Sequence, residues 1–150
     1  MKRNKWIGTL ICITFIFIVI SGCATTSGSK NLLVVKTGTL HYEGGKIAIM
    51  DIEGWQDAVN IMKNSFINSL FDLYTTNPEE ASYRIAGGIY AKRYWKSGRL
   101  YFYYTVSLRL IDKADNIVMT FKNTKPFYQP QLGDFTDEIV KSIRGIEIAK

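Results

Sequence analysis

Apolar and polar positions change their period several times along the chain, and each change marks an element. The segment "WQDAVNIMKNSFINSLFDLY" spaces Val59, Met62, Phe66, Leu70 and Leu73 by three and four residues, which is one stripe of an amphipathic helix. Asn60, Asn64 and Asn68 fall on another face of that helix, as expected of a solvated side. Pro78 in "TTNPEEA" ends it, because proline lacks the amide hydrogen and crowds the preceding turn. "YRIAGGIYAKRYW" and "RLYFYYTVSLRLI" then alternate with period two around Lys96-Ser97-Gly98-Arg99, which predicts a β-hairpin. In the second strand Leu100, Phe102, Tyr104, Val106, Leu108 and Leu110 share one face, the core face, while Tyr101, Tyr103, Thr105, Ser107 and Arg109 share the other. "NIVMTF" follows the turn "DKADN" as the third strand of a meander. "QLGDFTDEIVKSIRGI" spaces Leu132, Phe135, Ile139, Ile143 and Ile146 as a closing helix. Upstream, "NLLVVKTGTLHY" and "KIAIMDI" read as strands joined through "EGG", and a hairpin is expected there too.

Strands, helix, meander, helix is the order of an α+β domain. The expected architecture is a two-layer sandwich: a mostly antiparallel sheet with two helices packed on one face and nothing over the other. No repeat or long linker divides residues 31–150, so they read as a single domain.

The N-terminus has a different pattern. Lys2, Arg3 and Lys5 precede a largely apolar run, Ile7 to Ile20, of 14 residues. A helix that crosses a bilayer needs roughly 20 such residues, so this run is short for a permanent span and suits a signal segment. It ends at Ile20, Ser21, Gly22 and Cys23, which resembles the lipobox of bacterial lipoproteins. That resemblance implies cleavage after Gly22, with residues 1–22 removed as a signal peptide, and acyl chains (palmitate among them) on Cys23, which becomes the membrane attachment. Two or three acyl chains hold a protein on a membrane where one does so only marginally. Residues 23–30 would form a short acylated tether; the seven from Ala24 to Lys30 reach at most about 25 Å.

Composition narrows the chemistry further. Removing Lys2, Arg3 and Lys5 from 19 basic residues leaves 16 against 13 acidic ones, a balance of +3 with no long basic run. Nucleic acid is not an expected partner. Of the two cysteines, Cys12 lies in the signal and Cys23 would carry lipid, leaving no thiol for a disulfide, a metal or a nucleophile. His41 is the single histidine and reads as an ordinary surface or edge residue, so neither a supported Ser-His pair nor a multi-histidine metal site assembles readily. Gly87-Gly88 lies inside a strand, where it marks a bend or a close approach and not a phosphate loop. Asp51 and Glu53 flank a strand end, and Asp112, Asp115 and Asn116 cluster in a turn that lacks the spacing of a calcium loop. No cofactor, no metal and no enzymatic activity are expected.

The remaining candidate is the outward face of the hairpin, with Tyr90, Lys92, Tyr94, Tyr101, Tyr103 and Arg109. Tyrosine and arginine combine large contact area with hydrogen bonding and are enriched at recognition surfaces. Tyrosine also favours strands for its own sake, so this face reads either as a docking surface or as an ordinary exposed sheet face.

"GKIAIMDIEG", the helix after it, and "YRIAGGIYAKRYW" with "YFYYTVSLRLIDKADNIVMTF" resemble the small domain of the penicillin-binding-protein activator and curli-secretion lipoproteins. The matches are Tyr83, Ile85, Gly87 and Ile89, then Leu108, Leu110, Asp112 and Val118. The resemblance implies an outer-membrane lipoprotein facing the periplasm that acts by contacts with another envelope protein, with homo-oligomers as a possibility. Ala24 after the cysteine, in place of the Asp that favours inner-membrane retention, agrees with that location; in a Gram-positive cell the same anchor would mark the outer face of the only membrane. A carrier lipoprotein for a small ligand, a lipid or wall fragment held between sheet and helices, is the alternative function.

Overall fold

The computed structural model describes residues 25–28, 32–37, 40–126, 128 and 131–145. The signal segment, the lipobox residues Ile20, Ser21 and Gly22, Cys23, and Ile146 of the expected closing helix lie outside the described residues. Among those described, the elements are β1 (Thr25–Gly28), β2 (Leu32–Lys36), β3 (Ile47–Gly54), α1 (Gln56–Ser69), β4 (Tyr83–Lys96), β5 (Arg99–Asp112), β6 (Ile117–Asn123) and α2 (Leu132–Ile143). They form an α+β sandwich with one six-stranded sheet in the order β1-β2-β6-β5-β4-β3. Every neighbouring pair is antiparallel except β3 with β4.

Alternation places the core where the sequence put it. Val106, Leu108 and Leu110 of β5 are fully buried with Ile85 and Ile89 of β4 opposite them. Phe121 of β6 and Leu32 and Val34 of β2 extend that face. The helices cover it with Val59, Met62 and Phe66 from α1 and Leu132, Phe135, Ile139 and Ile143 from α2. Thr136 and Ser142 sit inside α2 without unpaired hydroxyls, each donating to the carbonyl four residues back, Leu132 at 2.8 Å and Glu138 at 3.0 Å. The helix ends are tied together where the Ser69 hydroxyl donates to Asp137 at 2.8 Å and Arg144 pairs with Asp72.

Two expectations are corrected. β2 and β3 do not form a hairpin. Gly44 and Gly45 do bend the chain, with φ of +102° and +105°, but the connection leads to the opposite edge of the sheet. β2 is paired on both sides, by β1 and β6, while β3 reaches the sheet as the parallel neighbour of β4 through the crossover helix α1. The expected tether, residues 23–30, also loses its middle: Thr25–Gly28 is a strand, with Thr25 opposite Lys36 and Gly28 opposite Leu33. β1 takes up the outer side of β2 and becomes the edge strand in its place, and two threonines suit a strand.

Gly87 explains itself. Its φ is +144°, and a Cβ there would meet the Ser107 carbonyl oxygen and lie 2.9 Å from Leu108 Cα, so β4 and β5 touch backbone to backbone at this rung.

Candidate functional site: an aromatic hairpin ribbon

β4 and β5 are each 14 residues long, but their neighbours stop short. β6 pairs with β5 only from Ser107 to Ile111, and β3 with β4 only as far as Ile89. The Asn123 side chain adds one more rung on the β6 side, accepting from Val106 N–H at 2.8 Å and donating to the Tyr104 carbonyl at 3.0 Å. Beyond these points the hairpin continues as a two-stranded ribbon to Ser97-Gly98, whose φ values of +51° and +73° fit the tight turn that matches strand twist.

The outer face of the ribbon carries a cluster of phenols. Tyr94 stands directly opposite Tyr101, and Lys92 opposite Tyr103. Rings of Tyr94 and Tyr103 stack at 4.7 Å between centroids and 11° between planes, and Tyr101 stacks on Tyr94 at 5.3 Å. Tyr128 arrives from the loop after β6 and lies against Tyr103 at 4.7 Å and edge-on to Tyr101 at 6.4 Å. The Tyr103 hydroxyl donates to Tyr94 at 2.7 Å and lies 2.8 Å from that of Tyr128. Hydrogen bonding with Tyr103 and then Tyr128 raises the Tyr94 pKa, and the bond with Tyr128 raises that of Tyr103. Tyr128, whose hydrogen bonds with Tyr103 and Tyr94 favour its anion, is lowered.

The other predicted residues are dispersed. Tyr90 is 60% exposed, and its ring lies over Gly88, where a Cβ would come within 2.8 Å of the phenol oxygen. Arg109 shares the face but sits six residues from Tyr103, about 20 Å along the strand. It belongs to the body of the sheet, opposite Ala86 and Thr120. Alternation identifies a face, not a distance, and so it grouped Arg109 with the tyrosines. Tyr128 was missed; the only signal was an aromatic in a polar loop. The helix-side face of the ribbon was missed as a surface too: Trp95 is 72% exposed beside Leu100, and Trp55 packs on Phe102 at 5.3 Å.

The acidic turn is held by its own groups. The Asp112 carboxylate accepts from Ala114 N–H, Asn116 N–H and the Asn116 side chain at 2.9, 2.8 and 3.0 Å, and Asp115 pairs with Arg84 at 2.6 Å. Among the described residues, no group of three or more His, Cys, Asp or Glu side chains could hold a metal ion.

No protein-family model and no curated protein matches the chain. Among solved structures, the PelC dodecamer from Paraburkholderia phytofirmans is similar at 16% identity with a TM-score of 0.50, over 75% of this chain and 92% of that one. A variant of the same dodecamer gives 19% identity and a TM-score of 0.51, over 77% of this chain and 99% of that one. The likeness is one of fold: this chain is built on the same arrangement of strands and helices as the subunit of those dodecamers.

Proposed function

We propose that this is a lipid-anchored protein of the bacterial envelope, attached through acyl chains on Cys23, that works by binding another envelope protein and not by catalysis. The signal segment and lipobox support the anchor, and the outer membrane facing the periplasm is the location that Ala24 and the lipoprotein resemblance favour. The observation that carries the binding role is the ribbon. It leaves the sheet with two aromatic faces, it holds Trp95 and Tyr90 in solvent, and it is stiffened by the Tyr94–Tyr103–Tyr128 stack. A rigid aromatic surface loses little side-chain freedom on docking, which is what recognition surfaces require.

Met62, Phe66, Phe121 and Tyr104, none more than 1% exposed, fill the middle of the space between the layers, so under the carrier reading a ligand would sit at its rim, in the cleft that Lys36, Met119, Ile143 and Arg144 line. Assembly with copies of itself is favoured by one specific observation, the dodecameric state of both PelC structures of this fold.

A photo-crosslinking residue at Trp95 in living cells tests the docking role. Crosslinks to one other envelope protein are expected. Crosslinks only to copies of this chain would transfer the ribbon to self-assembly, and none at all would sink the docking reading.

A further inference from the structure

The outer edge of β4 past Ile89 is an unfinished ladder. Where β3 ends, Trp55 N–H donates to the Ile89 carbonyl at 3.2 Å, so Ile89 turns its backbone outward. By the period of two, Ala91, Arg93 and Trp95 do the same. Among the described residues no strand or loop backbone pairs with them on that side. The chemistry flanking this edge has one sign. From Tyr90 to Thr105 the chain carries Lys92, Arg93, Lys96 and Arg99 and neither Asp nor Glu. None of the four takes part in an ion pair among the described residues. Glu53, opposite Gly88, marks the root of the ribbon.

Charge chooses the occupant. Basic residues on an open edge discourage two copies from pairing there, since each would bring like charge to the other. A strand that carries carboxylates meets the reverse situation. Laid along β4, its side chains would alternate between Lys92 and Lys96 beside the tyrosines on one face and Arg93 beside Trp95 on the other. We infer that the β4 edge from Tyr90 to Lys96 accepts an extended acidic segment of a partner protein as an added strand, with main-chain bonds supplying affinity and the cations supplying selectivity. This inference rests on the docking reading of the ribbon and names the class of partner it takes.

The test uses full-length mature protein in detergent and short fluorescein-labelled peptides. One alternates glutamate with valine, a second carries lysine for glutamate, and a third is the glutamate peptide N-methylated at every second residue on its pairing edge. The glutamate peptide is expected to bind and to weaken with salt, while the other two do not bind. Lys92→Glu with Lys96→Glu should weaken binding about tenfold or more at an unchanged melting temperature. Failure of the glutamate peptide to bind, equal binding by the N-methylated form, or binding that survives the double substitution overturns the inference. So does equal competition by phosphatidylglycerol vesicles, which would assign the edge to a lipid surface. If Trp95 crosslinks to an envelope protein while the glutamate peptide stays free, the docking reading stands and the acidic strand falls.

Discussion

Tyr103 donates its hydroxyl proton to Tyr94 at 2.7 Å while their rings stack at 4.7 Å, so one pair of diagonal neighbours is joined both through its faces and through its edges. The consequence is a fixed order of ionisation. Hydrogen bonding with Tyr103 and then Tyr128 raises the Tyr94 pKa above the ordinary tyrosine value, and hydrogen bonding with Tyr103 and Tyr94 lowers that of Tyr128 below it. Absorbance titration near 295 nm should therefore show an early component that Tyr128→Phe removes. For Tyr94 the raised folded value means stability that is intact below about pH 10 and lost as the pH climbs through the folded value. An unchanged titration in Tyr128→Phe would show that the cluster does not order these protons.

Acid should act at two places. Hydrogen bonding from Arg144 lowers the Asp72 pKa, and hydrogen bonds from Asn116 lower that of Asp112. Both are depressed carboxylates, so their contribution is present above about pH 4 and is lost as the pH falls through the folded values. Thermal unfolding across pH 2 to 6 should show the loss, and Arg144→Met should flatten the part due to Asp72.

At Gly87 an added methyl collides with the backbone of β5 at a φ that side chains rarely adopt. Gly87→Ala is expected to destabilise the domain by about 1–3 kcal/mol in denaturant unfolding. Gly98→Ala, at the hairpin turn where the space is open, should cost about 1–2 kcal/mol, from its positive φ alone.

Phe66 is fully buried between the layers and Phe71, five residues later and just past the end of α1, is 80% exposed. Phe66→Ala should cost about 3–5 kcal/mol, and Phe71→Ala less than about 0.5 kcal/mol. Comparable losses at both positions would mean that the helix end is covered in solution.

Metabolic labelling with palmitate should mark the wild-type chain and leave Cys23→Ser unlabelled and unprocessed. Equal labelling would contradict acylation at Cys23.

The parts of this structure that sequence reveals are those decided within one element. Val59, Met62 and Phe66 announce α1, Leu132 and Phe135 announce α2, and the alternation of β5 separates buried Leu108 from exposed Arg109. What stays hidden depends on partners far along the chain. Nothing in "KIAIMDI" says that it pairs with β4 and lies across the sheet from β2. Thr25–Gly28 has no apolar pattern to detect, since its pairing with β2 is a backbone matter. Tyr128 joins the phenol cluster from 25 residues beyond Tyr103, a distance that no local rule spans.

Strand β1 has a mechanical meaning. Thr25 pairs with Lys36, in line with Met119 and Leu110, so the chain enters the sheet at the end remote from the ribbon turn. Leu100 lies ten residues up β5 from that level, about 33 Å away. With Cys23 acylated as proposed, Thr25 follows two residues later, at most about 7 Å from the anchor. Tension between a bound partner at the tip and the membrane would then run lengthwise along the strands. The rungs joining β1 to β2 would share that pull in shear instead of peeling apart one after another, which makes the sheet a strut between membrane and partner.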